Sequence, residues 1–183
     1  MKNRKILWIT QTALLTALLI LMQVVTASFG NTIVTGSMVN LILIVSVMIA
    51  GLSSGLAVAF ISPIFAKFIG IGPLWMLIPF IMVGNIVFVL IWRFFGNLTF
   101  GKPAIVYVVT LVLAAVGKFS ALYIGIVKIA VPHLLNLPGP QAAIISSMFS
   151  IPQLFTALIG GAIATAMVPL LKNIFVDRHV KIG

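Results

Sequence analysis

The side chains able to do chemistry in this 183-residue chain are few and nearly all cationic: eleven Lys and Arg stand against one acidic residue, Asp177, for a formal charge of +10. There is no Cys, which excludes disulfides, thiolate metal sites and cysteine nucleophiles. A lone carboxylate excludes paired-carboxylate acid/base catalysis, and with only two histidines it argues against a metal hydrolase. Three lysines, Lys67, Lys118 and Lys128, lie inside long apolar runs, where a charge is expensive unless it snorkels, pairs or faces a polar cavity. No acidic residue lies in those runs. Compensation must come from water, backbone carbonyls, phospholipid head groups or an anionic ligand. Asn40, Asn85 and Gln153 are the amides at comparable positions, and Trp75 and Tyr123 are placed to supply aromatic walls.

The elements that must position these groups are membrane helices. With 62% hydrophobic and 7% charged residues, the chain lacks the polar surface of a soluble globule. A bilayer core of roughly 30 Å takes about 20 apolar residues in a helix. Six segments approach that, at about 6–24, 33–51, 56–71, 74–92, 104–131 and 142–171. The first follows Met-Lys-Asn-Arg-Lys like the start of a signal peptide, but the length of its apolar run and the lack of a cleavage site argue for a retained helix. Residues 51–55 form a small-residue turn, and Gly72-Pro73 breaks the chain before the fourth span. The expectation is an all-α integral membrane protein, a six-transmembrane-helix bundle in a single domain over residues 1–183.

The remaining eight bases set orientation. Lys2, Arg4 and Lys5 precede the first span, Arg93 and Lys102 lie between the fourth and fifth, and Lys172, Arg178 and Lys181 follow the sixth. The alternate loops carry no Lys or Arg. The positive-inside rule then places both termini in the cytoplasm. This pattern also disposes of nucleic-acid binding, which clusters bases on a polar surface.

Counting residues ranks the three intramembrane lysines. At about 1.5 Å per residue from Ala104, Lys118 lies about 21 Å along the fifth span, just past mid-membrane, and Lys128 about 36 Å, at the outer surface. Lys118, Ala121, Gly125 and Lys128 share one stripe by α-helical spacing. Lys128 can snorkel outward, Lys118 is too deep to do so easily, and Lys67 can either snorkel or point inward. Asn85 and Gln153, the latter just after Pro152, reach similar depth from the outer side, and Asn40 lies in the outer half of the second span. Each amide taken alone reads first as an interhelical hydrogen bond, the commoner fate of Asn and Gln in bundles. Their shared depth favours a pocket open to the outside. Loops at 28–31 and 35–37 are small and polar, and 137–140 is a turn flanked by His133 and Gln141, all suited to lids or to ordinary connection. Ala13 and Ala17 form an Ala-x-x-x-Ala pair that lets another helix approach closely, as do Gly160 and Ala164.

A chain of this length with six short-looped spans, and a basic N-terminus running into Gln11-Thr-Ala-Leu-Leu-Thr-Ala17, resembles the substrate-binding S-component of energy-coupling factor (ECF) transporters over nearly its whole length. The resemblance implies a subunit that captures a vitamin or related micronutrient from outside and works with a transmembrane T-component and two cytoplasmic ATPases. It implies that Ala13 and Ala17 dock the T-component, and that ligand binds in the outer half among helices four to six and the outer loops. The chain has no phosphate-binding loop of its own, so ATP hydrolysis belongs to the partners, and neither an enzyme activity nor a cofactor is expected of it.

Without a carboxylate in the spans a cationic ligand is disfavoured, and without histidine clusters so is a transition metal. An anionic or neutral organic vitamin fits better, with Lys118 or Lys67 meeting an acid group and Asn85 and Gln153 bonding amides or hydroxyls. Pantothenate ranks ahead of flavins, folates and biotin. The alternative is a non-transporting accessory or structural membrane subunit whose polar groups only join helices.

Overall fold

Apolar runs punctuated by Gly, Pro and short polar turns fold into helices throughout, with no strand among the described residues. The computed structural model describes the backbone of residues 2–98 and 102–180, and side chains over 5–98 and 102–171. The orienting bases Lys2, Arg4, Lys172 and Arg178 have described backbone only, and Lys181 lies outside the described residues.

The order is α1 (Lys2–Ala27), α2 (Thr32–Ile49), α3 (Leu52–Phe68), a 3-10 turn at Trp75–Leu77, α4 (Ile78–Phe95), α5 (Pro103–Leu122), a π-helical stretch at Tyr123–Ala130, the short α6 (Val131–His133), α7 (Gly139–Met148) and α8 (Ile151–Val180). Five stretches are long and apolar enough to cross a bilayer, namely 5–27, 32–49, 75–95, 103–133 and 139–171. Helix α3 is apolar but shorter. The chain is therefore a multi-pass membrane protein by length and composition, and large apolar side chains such as Leu14, Val108 and Leu170 face outward as lipid-facing groups do.

Local chemistry sets the ends. Asn31 caps α2 by accepting the Ile33 amide at 2.9 Å. Pro stands in the first turn of α4, α5 and α7, where its missing N–H is not needed. Gly51, at φ +91°, makes the reversal into α3, so the expected turn over 51–55 shrinks to Ala50 and Gly51, and α3 begins four residues before the expected 56.

Two spans depart further from expectation. The sixth, expected as one helix over 142–171, is two: α7 stops at Met148 and α8 starts at Ile151, because Pro152 fits a first helical turn and disfavours helical backbone in the residue before it. In the fifth, the chain winds as a π-helix over Tyr123–Ala130. Each π turn takes an extra residue, which rotates Lys128 off the stripe it was expected to share with Lys118. Lys118 is buried and Lys128 is exposed.

Helix α2 packs on α1, α3, α4 and α8, and the perimeter runs α1, α3, α4, α5, α8. Small residues set the closest approaches. A Cβ on Gly36 would lie 2.8 Å from Thr156 Cγ2, and one on Gly160 would collide with the Ser37 carbonyl, so α2 and α8 meet nearly backbone to backbone. A Cβ on Gly84 would stand 2.7 Å from Leu122, which brings α4 to α5 beside Asn85. The main core is apolar, centred on Leu43, Ile44, Val58, Phe88 and Trp92.

Candidate ligand-binding site

Four polar residues from four helices meet inside the bundle. The Lys118 amine, on α5, donates to Asn40 Oδ1 of α2 at 2.6 Å and to Asn85 Oδ1 of α4 at 2.7 Å. Asn40 in turn donates through Nδ2 to Thr156 Oγ1 of α8 at 3.3 Å, and the Thr156 hydroxyl donates to the Gln153 carbonyl at 3.0 Å. This chain of donors fixes the Asn40 amide with its oxygen towards the lysine. Lys118, Asn40, Asn85 and Thr156 are all buried. The lysine also lies 5.3 Å from the Phe88 ring centre, a contact that favours a cation.

The close helix approaches make this possible. Gly36 and Gly160 let α2 and α8 come near enough for Asn40 to reach Thr156, and Gly84 lets α4 carry Asn85 against α5. An ammonium has three N–H donors, and two find protein acceptors among the described residues. The third donor, and the Asn85 NH2 group, are left for something else.

Above this group lies a cavity of about 450 Å³, within the range of small-molecule sites. It sits at the end of the bundle formed by the α1–α2, α3–α4 and α7–α8 connections, since Ala27, Gly30, Asn31, Gly70, Pro73, Met148 and Phe149 all line it. Arg93, in the last turn of α4, and Lys102, at the start of α5, lie at the opposite end. Lys118 is the sole ionisable residue in the lining among the described residues, and apolar walls come from Val39, Ile78, Ile81 and Leu122. No cluster of His, Cys, Asp or Glu among the described residues is placed to hold a metal ion.

Of the residues singled out in the sequence, Lys118, Asn40, Asn85 and Gln153 line this cavity. Gln153 also has a structural task, its Nε2 donating to the Met148 carbonyl at 3.1 Å across the α7–α8 break. Three others stand outside the lining. Lys67 extends back along the α3–α4 connection, 3.5 Å from the Gly72 carbonyl. Trp75 is half exposed and meets Phe68 edge-on at 5.1 Å. Tyr123 stacks on Phe119 at 5.6 Å, and Lys128 covers its ring. Tyr123 opens the π-helical stretch and Trp75 opens the 3-10 turn, and neither side chain lines the cavity.

Gln23, Ser62 and Thr156 join the site without having been singled out. Gln23 is an amide near the outer end of the apolar first span, and Ser62 precedes an intrahelical proline, signals that were open to reading. Ala13 and Ala17 are exposed on α1, whereas Ala164 is buried and Gly160 faces α2. The two small-residue pairs thus differ: one is free and the other is consumed in packing the bundle.

Comparison of the chain with family models, with curated proteins and with solved structures gives no match.

Proposed function

We propose that this chain is the substrate-capture subunit of an ECF-type, ATP-driven importer, binding an anionic or neutral water-soluble vitamin or related micronutrient from outside and releasing it to the cytoplasm. The observation that carries the reading is Lys118. A buried lysine held by two amide oxygens, with no carboxylate and no third acceptor for its amine among the described residues, beneath a cavity of about 450 Å³, is the arrangement an acid-bearing ligand would complete. Helix glue alone has no need of the cavity.

Six membrane crossings, with α7 and α8 sharing the last, and both termini in the cytoplasm place Arg93 and Lys102 inside and the cavity outside. The exposed Ala13 and Ala17 face is then the surface for a transmembrane T-component, and two cytoplasmic ATPase subunits supply the energy. Helices from several parts of the chain converge on one cavity end, which suits a subunit that binds first and is reoriented by its partners. Pantothenate, which has a carboxylate, an amide and two hydroxyls, remains the leading candidate ligand in a prokaryotic plasma membrane.

The test is uptake of labelled pantothenate, biotin, folate and riboflavin in cells expressing this chain with a T-component and two ATPases. The reading expects accumulation that needs all the partners. Accumulation of no member of the set, with no association between the chain and the partners, contradicts it.

A further inference from the structure

On the far side of the cavity from Lys118, two buried polar side chains have nothing to bond. Gln23 of α1 is 7% exposed and its Oε1 has no partner; Ser62 of α3 is 1% exposed and its Oγ has none. Both line the same cavity as Lys118. Native proteins rarely leave buried polar atoms unpaired, because an unmet donor or acceptor forfeits its hydration without return.

Their levels in the bundle match. Thr12 of α1 and Ser54 of α3 bond at 2.8 Å, which sets the register of the two helices. Gln23 is eleven residues on from Thr12 and Ser62 eight on from Ser54, so the two stand within one helical turn, about 4.5 Å, of the same height. Pro63 of α3, next to Ser62, lines the same wall. Helices α1 and α3 stand across α2 and α4 from α5 and α8. The cavity therefore has a cationic end at Lys118 and a neutral hydrogen-bonding end at Gln23 and Ser62, with Val39, Ile78 and Ile81 among its apolar walls.

We infer that Gln23 and Ser62 form a second subsite, which holds a hydroxyl or amide group of the ligand while Lys118 holds its acid group. This rests on the capture function proposed above and narrows it. The ligand is bipolar: an acid at one end, a neutral donor and acceptor at the other, and an apolar linker between them. Gln23 presents one acceptor and two donors, the complement of a carboxamide or an alcohol, and Ser62 can both donate and accept. A simple fatty or aromatic acid would satisfy Lys118 and leave this wall unmet.

The variants Gln23→Met and Ser62→Ala remove unpaired atoms and no hydrogen bond within the protein, so neither should unfold the chain. The experiment titrates the purified full-length protein in detergent with pantothenate, biotin, folate and riboflavin, and measures the Tm of the unliganded proteins. The expected result is that the probe bound by the wild type binds about tenfold more weakly to each variant, with unliganded Tm unchanged or raised. Unchanged affinity in both variants, or lost affinity matched by lost Tm, overturns the second subsite while leaving the capture reading standing. Absence of binding to the wild type by every probe overturns both.

Discussion

Lys118 Nζ and Asn85 Oδ1 lie 2.7 Å apart, joining a lysine of α5 to an amide of α4 deep in a membrane bundle, with no carboxylate among the described residues that line the adjoining cavity. A hydrogen bond from a charged donor contributes roughly 1.5–3 kcal/mol, and two of them hold this lysine. They hold the side chain in place and leave one N–H donor of an ammonium without a protein acceptor among the described residues.

Lys118→Met keeps the apolar stem and removes the ammonium. Affinity for an acid-bearing ligand should fall about 10- to 100-fold, the loss of one charged hydrogen bond at 1.4 kcal/mol per tenfold. Equilibrium titration of the purified variant measures it. An accessory subunit with no ligand would instead tolerate this substitution in every functional assay.

Thr156 acts through Asn40, to which it is bonded at 3.3 Å. Thr156→Val should weaken ligand binding by less than Asn40→Ala does, and the double variant should be little worse than Asn40→Ala alone. Coupled residues typically show interaction energies of about 0.5–3 kcal/mol. A cycle of four titrations gives the value, and strict additivity would mean that Thr156 does not position Asn40.

Gly36 and Gly160 are fixed by the α2–α8 approach, so Gly36→Val and Gly160→Leu should lower Tm and destabilise the bundle by about 1–3 kcal/mol or more through overpacking. Gly139→Ala is the control, since its Cβ would meet open space. Thermal unfolding in detergent compares the three, with Gly139→Ala close to wild type.

Ala13→Trp and Ala17→Trp place bulk on an exposed face of α1. Ligand binding should be preserved and uptake abolished if, as proposed, this exposed face docks the T-component. Paired binding and uptake assays separate the effects. Equal loss of both would assign helix α1 to the pocket or the fold.

Much of this architecture is legible in the sequence because membrane helices are written in composition. Runs of apolar residues marked out the helices, and Lys118, Asn40, Asn85 and Gln153 stood out as polar groups at matching depth. What was hidden depended on helix phase. Nothing local in Tyr-Ile-Gly-Ile-Val-Lys-Ile-Ala announces a π-helix, so α-helical spacing puts Lys128 on the Lys118 stripe, whereas the structure leaves it exposed, in keeping with the outward-snorkelling reading. Trp75 was assigned by type and depth, and the 3-10 turn before α4 directs it outward. Pro152 signalled a kink, but whether a proline bends a helix or starts a new one depends on the backbone before it. Gln23 and Ser62 required tertiary structure, because only packing reveals which polar atoms are left without partners.

The central claim is that this cavity takes a water-soluble, acid-bearing vitamin without help from ATP. Isothermal titration of the detergent-purified chain against pantothenate, biotin, folate and riboflavin tests it most directly. The account predicts saturable one-to-one binding of an acid-bearing member of the set, sharply weakened by Lys118→Met. No binding across the set, or binding that Lys118→Met leaves unchanged, would contradict it.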